Sequence, residues 1–222
     1  MTPKAEGKKA GKSSRAAAPS CDKIQGHSLV LGVVGPSGAG KSTVCALLQA
    51  RGFEVVDVDR LAKSLYEPGA GAFNALKQAF GQRVVGPDGR IDRAWLGQRV
   101  FSSPAELRRL DAVIFPLLLK TLRRSLASLK KAGRSRIVLD MAVLFKAKAE
   151  SLVDSILVVQ APLEARVRRL QRSRGLSRAA AQKQAAALIL SGANLSKADF
   201  LLWNRGPKGR LRAALDSYLE NL

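Results

Sequence analysis

The sequence predicts an α/β fold: a parallel sheet with flanking helices and a helical insertion between its second and third strands. Three observations predict it. Leu29-Val30-Leu31-Gly32-Val33-Val34 is a short apolar run, followed by a glycine-rich turn and then by Val44, Leu47 and Leu48 at helical spacing. Further apolar runs starting near Phe53, Ile137, Ser155 and Phe200 also read as strands, and helical patterns separate them. Residues 60–135 carry no strand run and read as mainly helical.

The turn after the first strand is Gly35-Pro36-Ser37-Gly38-Ala39-Gly40-Lys41-Ser42-Thr43. It fits G-x-x-x-x-G-K-[ST], the phosphate-binding P-loop, and the strand and helix it needs lie on either side. Gly38 and Gly40 let the backbone turn where a Cβ would clash, so that successive N–H groups point inward. With the N-terminus of the following helix they form a cradle for phosphate. Gly35, Gly38, Ala39, Gly40, Lys41, Ser42 and Thr43 are therefore the candidate nucleotide-binding residues. Lys41 is a point charge that reaches the β- and γ-phosphates, and Ser42 is the candidate ligand for Mg²⁺.

Composition narrows the classes. The 222 residues suffice for one α/β domain with a small inserted lobe. No run of eighteen apolar residues occurs, so no transmembrane helix and no membrane partner is expected. Cys21 and Cys45 form neither a disulfide framework nor a metal-spaced pair, which favours a reducing cytoplasm. With His27 as the only histidine, neither a histidine-rich metal site nor a conventional Ser-His-Asp triad is expected. The net charge is +21, from 38 basic and 17 acidic residues. Residues 1–27 read as a disordered basic tail with net +4, from Lys4, Lys8, Lys9, Lys12, Arg15 and Lys23 against Glu6 and Asp22. The remaining +17 lies on residues 28–222, more than two polyanionic ligands require.

Along the chain, Gly52 stops the P-loop helix and Phe53-Glu54-Val55-Val56 starts the second strand. Alternation puts Asp57 and Asp59 on one side of the chain if the strand runs that far. Ligands of open α/β sheets gather outside the carboxyl ends of strands, so a carboxylate here can face the γ-phosphate as a base or a metal partner. Glu67-Pro68-Gly69 breaks the next helix, and Ala72, Leu76 and Phe80 mark a short amphipathic one. Gly86-Pro87-Asp88-Gly89 is a tight turn before a helix near Arg93–Val100. Ser103-Pro104 opens another through about Phe115, and Pro116 predicts a kink or a restart before Leu117–Leu129. Asp140, closing the third strand, sits near the metal sphere or caps the next segment. After the fourth strand, Pro162 starts a helix with Leu163, Val167 and Leu170 as its inner stripe. Arg166, Arg168, Arg169, Arg172, Arg174 and Arg178 suggest a phosphate clamp or, for several of them, a solvated basic face. Ser177 caps a helix to Leu190, Phe200–Trp203 is the last strand, and a closing helix covers Leu211–Leu219.

With these features in place, the chain resembles the dephospho-coenzyme A kinases over about residues 29–220. The P-loop is shared with many kinases. More specific are Val56-Asp57-Val58-Asp59-Arg60-Leu61-Ala62-Lys63, Glu67-Pro68-Gly69, Asp88-Gly89-Arg90-Ile91-Asp92-Arg93, Val100-Phe101 with Ser103-Pro104, Leu110, and Ala198-Asp199-Phe200 with Asn204 and Gly206. That family phosphorylates the 3′-hydroxyl of dephospho-coenzyme A with ATP and Mg²⁺, the last step of coenzyme A biosynthesis. The resemblance implies a P-loop NTPase core, nucleoside-monophosphate-kinase-like, in residues 28–222, with an acceptor lobe near 60–135 and a lid near 168–182. It implies Asp59 as the base, Lys41 and lid arginines such as Arg174 as stabilisers of the transferring phosphoryl group, and Asn204 and Gly206 at the adenine of ATP. It implies dephospho-coenzyme A and ATP as partners of a cytoplasmic enzyme.

Four segments depart from the family pattern. Phe115-Pro116 stands for His-Pro. Ala142-Val143-Leu144-Phe145-Lys146 stands for Pro-Leu-Leu-Phe-Glu, which reverses a charge. Ser173-Arg174-Gly175-Leu176-Ser177 stands for Arg-Asp-Gly-Leu-Ser, and Arg172 or Arg174, each one residue away, is long enough to replace the missing arginine. Gln184 and Leu188 stand for an arginine and a glutamine. The residues leave other readings open: a kinase of another small molecule or nucleotide, a basic nucleic-acid-binding P-loop ATPase, or a nucleotide-binding regulator. No recognition-helix, RRM or KH signature supports the nucleic-acid reading.

Overall fold

The strands are near-continuous apolar runs because both of their faces are covered. The computed structural model describes residues 28–188, 190–206 and 208–222; the basic tail, Cys21 and His27 lie outside the described residues. Five strands, β1 (Leu29–Val34), β2 (Glu54–Asp57), β3 (Arg136–Asp140), β4 (Ser155–Gln160) and β5 (Phe200–Trp203), form one parallel sheet in the order β2-β3-β1-β4-β5. With β1 central, the chain builds β2 and β3 on one side of it and then crosses to build β4 and β5 on the other. The loop after β1 therefore opens at a topological switch point, where such sheets bind ligands.

The two-residue period of the strands divides the core in two. Val30 and Val34 of β1, with Ile137, Leu139, Ile156 and Val158, face one side. There they meet α2 (Val58–Ser64), α3 (Gly71–Phe80), α4 (Arg93–Ser102), α5 (Pro104–Lys131) and the segment from Met141 to Ala149. Leu31, Val33, Val138, Leu157, Val159 and Leu202 face the other side, against α1 (Lys41–Gln49) and α9 (Lys208–Leu219). The sheet of the expected fold class is thus present with all five strands, and four helices fill the interval between β2 and β3.

Three boundaries and one burial differ from expectation. β2 ends at Asp57, because the Asp57 side chain accepts from the Arg60 N–H at 2.9 Å and caps α2. Asp59 therefore lies in the first helical turn rather than on the strand. α5 is one helix of 28 residues and runs through Pro116. Pro116 and Ala112, whose carbonyl loses its partner, are both exposed, so water can satisfy that carbonyl while Ile114, Leu118, Leu122 and Leu126 anchor the opposite face. The helix capped by Ser177, α7 (Arg178–Ala186), stops short of Leu190. Val167 and Leu170 of α6 (Leu163–Arg174) are buried as expected, but Leu163 is 49% exposed.

α6 and α7 form a hairpin over the switch point. Gly175 turns the chain with φ 63°, and Val167 and Leu170 pack against Ala181 and Ala185 in a small core of their own. A last single turn, α8 (Gly192–Leu195), leads to β5. No helix among the described residues is long and apolar enough to cross a membrane.

Candidate active site

The loop from Gly35 to Gly40 is held from below by backbone. A Cβ on Gly38, at φ 76°, would lie 2.7 Å from the carbonyl oxygen of Arg166. A Cβ on Gly40, at φ 106°, would collide with Asn204 Nδ2, and one on Gly35 with the carbonyl oxygen of Val159. Glycine is required at these positions by close approach, and at Gly38 and Gly40 by conformation as well. Lys41, Ser42 and Thr43 form the first turn of α1, whose backbone N–H groups have no intrahelical partner and point at the cradle. Ala39 differs from expectation: it is buried, and its N–H closes a turn onto the Pro36 carbonyl at 3.1 Å.

Asn204 is 7% exposed. Its Nδ2 donates to the Ala39 carbonyl at 2.8 Å and its Oδ1 accepts from Arg169 at 3.0 Å. Arg169 also donates to the carbonyls of Gly38 and Ala39, each at 3.2 Å, and of Asn204 at 3.1 Å. One guanidinium thus ties the P-loop to the end of β5. The side chain of Asn204 is turned to the loop, and its polar atoms are engaged there rather than free for a base.

The arginines of the α6–α7 hairpin separate by role. Arg166 donates to the Ala185 carbonyl at 2.7 Å and joins the two helices. Arg178 pairs with Glu164 at 3.2 Å on the surface. Partial burial lowers the pKa of both Arg166 and Arg169. Arg168, Arg172 and Arg174 are exposed and have no hydrogen-bond or ion-pair partner among the described residues. Arg174 ends α6, about 12 Å along the helix from Arg166, whose backbone touches Gly38. The structure does not bring Arg174 onto the loop as it brings Arg169. Helical phase was the available signal: Arg166 and Arg169 flank Val167 and Leu170 on the inner face.

One carboxylate meets Lys41, and two more lie near that carboxylate. Asp140 Oδ1 lies 3.9 Å from Lys41 Nζ, and Asp140 is in register with Asp57 across β2 and β3. Burial raises the Asp140 pKa; Lys41 opposes the shift, while Asp59 and Asp57 add to it. Of the two readings of Asp140, its place beside Lys41 favours the phosphate end over a cap. Cys45, buried on α1, lies beside Asp140, and burial pushes its thiol up. Asp57 is engaged as a cap, whereas Asp59 is exposed. Among the described residues, no group of three or more His, Cys, Asp or Glu side chains is placed to hold a metal ion.

Two departures from the family pattern meet in space. Lys146 Nζ pairs with Asp111 Oδ2 at 2.8 Å and lies 5.8 Å from the centre of the Phe115 ring. Sequence inspection noted Phe115 and Lys146 separately and missed Asp111, which is one helical turn before Phe115.

The dephospho-CoA kinase family model matches residues 29–208. A dephospho-CoA kinase of Anaeromyxobacter dehalogenans is 38% identical over 193 residues, covering 87% of this chain and 92% of that one. Among solved structures, the Thermus thermophilus protein TT1252 aligns with a TM-score of 0.73 and 36% identity over 88% of this chain and 98% of its own. A dephospho-CoA kinase from Campylobacter jejuni aligns at 0.62 and 22% identity, covering 86% and 95%, and so shares the fold. Matched by that family model over most of its length, and by a relative more than a third identical, the chain belongs to the dephospho-CoA kinase family.

Proposed function

We propose that this protein transfers the γ-phosphoryl group of ATP to the 3′-hydroxyl of dephospho-coenzyme A, forming coenzyme A. The observation that carries the reading is the meeting of an intact P-loop, Lys41, the strand-end carboxylate Asp140 and, in the helical turn after β2, Asp59 at one switch point of the sheet. On this reading the N–H groups of Gly40, Lys41, Ser42 and Thr43 receive the ATP phosphates. Lys41 stabilises charge on the transferring group. Asp59, free of the capping bond that occupies Asp57, orients the acceptor hydroxyl and takes its proton as the oxygen attacks phosphorus. Asn204 serves ATP indirectly, by fixing the loop through Ala39 and Arg169.

The donor set at this end suits Mg²⁺: hard oxygens from Ser42 and Asp140, with room for phosphate oxygens and water. Bound with the nucleotide, the ion would offset charge shared by the β- and γ-phosphates. Ser42 and Asp140 are the residues that would hold it.

Helices α2 to α5 form the acceptor lobe in this proposal. The α6–α7 hairpin is the lid, whose free Arg172 and Arg174 approach the phosphates when it closes and excludes water. On this reading the enzyme acts in the cytoplasm. The test is to incubate the purified protein with Mg-ATP and dephospho-coenzyme A and to follow coenzyme A by mass. Catalytic formation of a product about 80 mass units heavier is expected. ATP binding without that product would overturn the acceptor.

A further inference from the structure

Residues 117–136 contain seven basic side chains and no acidic one. Arg134 pairs with Glu54 at 3.8 Å and Arg136 lies over the Phe53 ring. The other five, Lys120, Arg123, Arg124, Lys130 and Lys131, are all exposed on α5. None takes part in an ion pair among the described residues. At 100° per residue they fall on one side of the helix, opposite Ile114, Leu118, Leu122 and Leu126. This face lies opposite the leucines that α5 buries in the core, and none of its cations belongs to the site described above.

We infer that the outer face of α5 is a docking surface for the phosphate backbone of a nucleic-acid duplex, bound without reading its bases. From Lys120 to Lys131 the helix rises about 16 Å, so the five charges are spaced about 4 Å apart on average, in two groups separated by the ~9 Å rise from Arg124 to Lys130. A duplex strand presents one phosphate per ~3.4 Å of axis. The match is one of charge density along a rigid rod: a 28-residue helix anchored by buried leucines holds the charges in a line.

The same face argues against a lipid surface. Helices that lie in a membrane interface place Trp, Phe or Leu beside their cations. Between the cations of α5 the exposed residues are Ala127 and Ser128, and the large exposed hydrophobics, Phe101, Leu163, Leu201 and Trp203, all lie on other elements. Neither Asn nor Gln, the side chains that pair bidentately with adenine, occurs between Lys120 and Lys131.

The experiment measures binding of a fluorescein-labelled duplex of about 20 base pairs and arbitrary sequence by anisotropy, with the full chain, from 50 to 200 mM salt. One variant carries Lys120→Gln, Arg123→Gln, Arg124→Gln, Lys130→Gln and Lys131→Gln. A charge-matched control carries Lys77→Gln, Arg83→Gln, Lys148→Gln, Lys183→Gln and Arg210→Gln, which removes exposed cations scattered over other elements. Thermal unfolding checks that both fold. Five phosphate contacts give a slope of log K against log salt of about −4.5, or roughly a 500-fold loss over this range. The wild type and the control are expected to show that slope, and the α5 variant to lose most of it with at least about 100-fold of affinity at 50 mM. The proposal is overturned if the wild type binds no duplex at 50 mM salt. Equal losses in the two variants overturn it too, by reducing the effect to net charge. So does binding of phosphatidylserine vesicles in place of duplex.

Discussion

Asn204 Nδ2 donates to the Ala39 carbonyl at 2.8 Å and joins the end of β5 to a loop 165 residues earlier in the chain. The bond is buried, and the same side chain accepts from Arg169, which itself holds the carbonyls of Gly38 and Ala39. Asn204→Ala removes both side-chain bonds at once, one of them to a guanidinium, and leaves the Ala39 carbonyl to Arg169 alone, at a cost of about 1–3 kcal/mol. The melting temperature should fall by about 2–4 °C per kcal/mol. The dissociation constant for ATP should rise with it, since the phosphate donors are then no longer held in place. Scanning calorimetry and an ATP titration on the variant check this. Unchanged ATP affinity in a destabilised protein would confine Asn204 to the fold.

Asp59 and Asp57 are two residues apart, and a bond separates their roles. Asp57 accepts from the Arg60 N–H, whereas Asp59 is free in the first turn of α2. Asp59→Asn should lower kcat by about 10²–10⁴-fold, the range expected for loss of a general base, with ATP affinity nearly unchanged. Asp57→Asn should keep most of kcat, because asparagine also caps helices. Steady-state kinetics on both variants decide the matter, and equal losses in kcat would reverse the assignment of the base.

The raised pKa of Asp140 has a consequence for stability. A carboxyl group whose folded pKa lies above its unfolded value favours the folded state below the unfolded pKa, and that advantage disappears as pH rises through the folded pKa. At neutral pH the ionised Asp140, partly buried and near Asp59 and Asp57, is therefore a cost in the nucleotide-free protein. Asp140→Asn removes that titration. The melting temperature of the variant relative to wild type should increase between pH 4 and pH 7, while kinase activity falls. A difference that does not change with pH would mean that Lys41 fully compensates the burial.

The strands could be read from the sequence because buried parallel strands are unbroken apolar runs, such as Ser155–Gln160 and Leu29–Val34, and the turns beside them are rich in glycine. The end of β2 could not. Period-two alternation continues through Asp59, and only the hydrogen bond of Asp57 to Arg60 shows that a cap has replaced it. Pro116 misled for a related reason. A proline breaks a helix where its lost hydrogen bond is buried, and the sequence does not show that this one faces solvent. In the site, the P-loop follows from local spacing. The Arg169–Asn204 tie joins distant segments, and six arginines within thirteen residues look alike until helical phase and burial separate them.

Phe115 and Lys146 occupy positions where the family pattern has histidine and glutamate, and here they touch each other. Lys146 lies over the Phe115 ring and pairs with Asp111, so its charge is matched locally. Glutamate at 146 would meet Asp111 at the same short range and turn an attraction into a repulsion. The pair is half-exposed on the lysine side, so water screens both terms. Lys146→Glu should therefore destabilise by only about 1 kcal/mol. Phe115→His alone removes the ring that the ammonium covers and should cost a similar amount, about 1 kcal/mol. The two changes together replace a cation over an aromatic ring by a carboxylate beside an imidazole that can carry a proton. The double variant should accordingly be more stable than the two single losses sum to, by about 0.5 kcal/mol or more, and more so at pH 6 than at pH 8. A double-mutant cycle on the melting free energies at the two pH values measures this coupling. Strict additivity at both would show that the two departures arose independently and that their contact does no work.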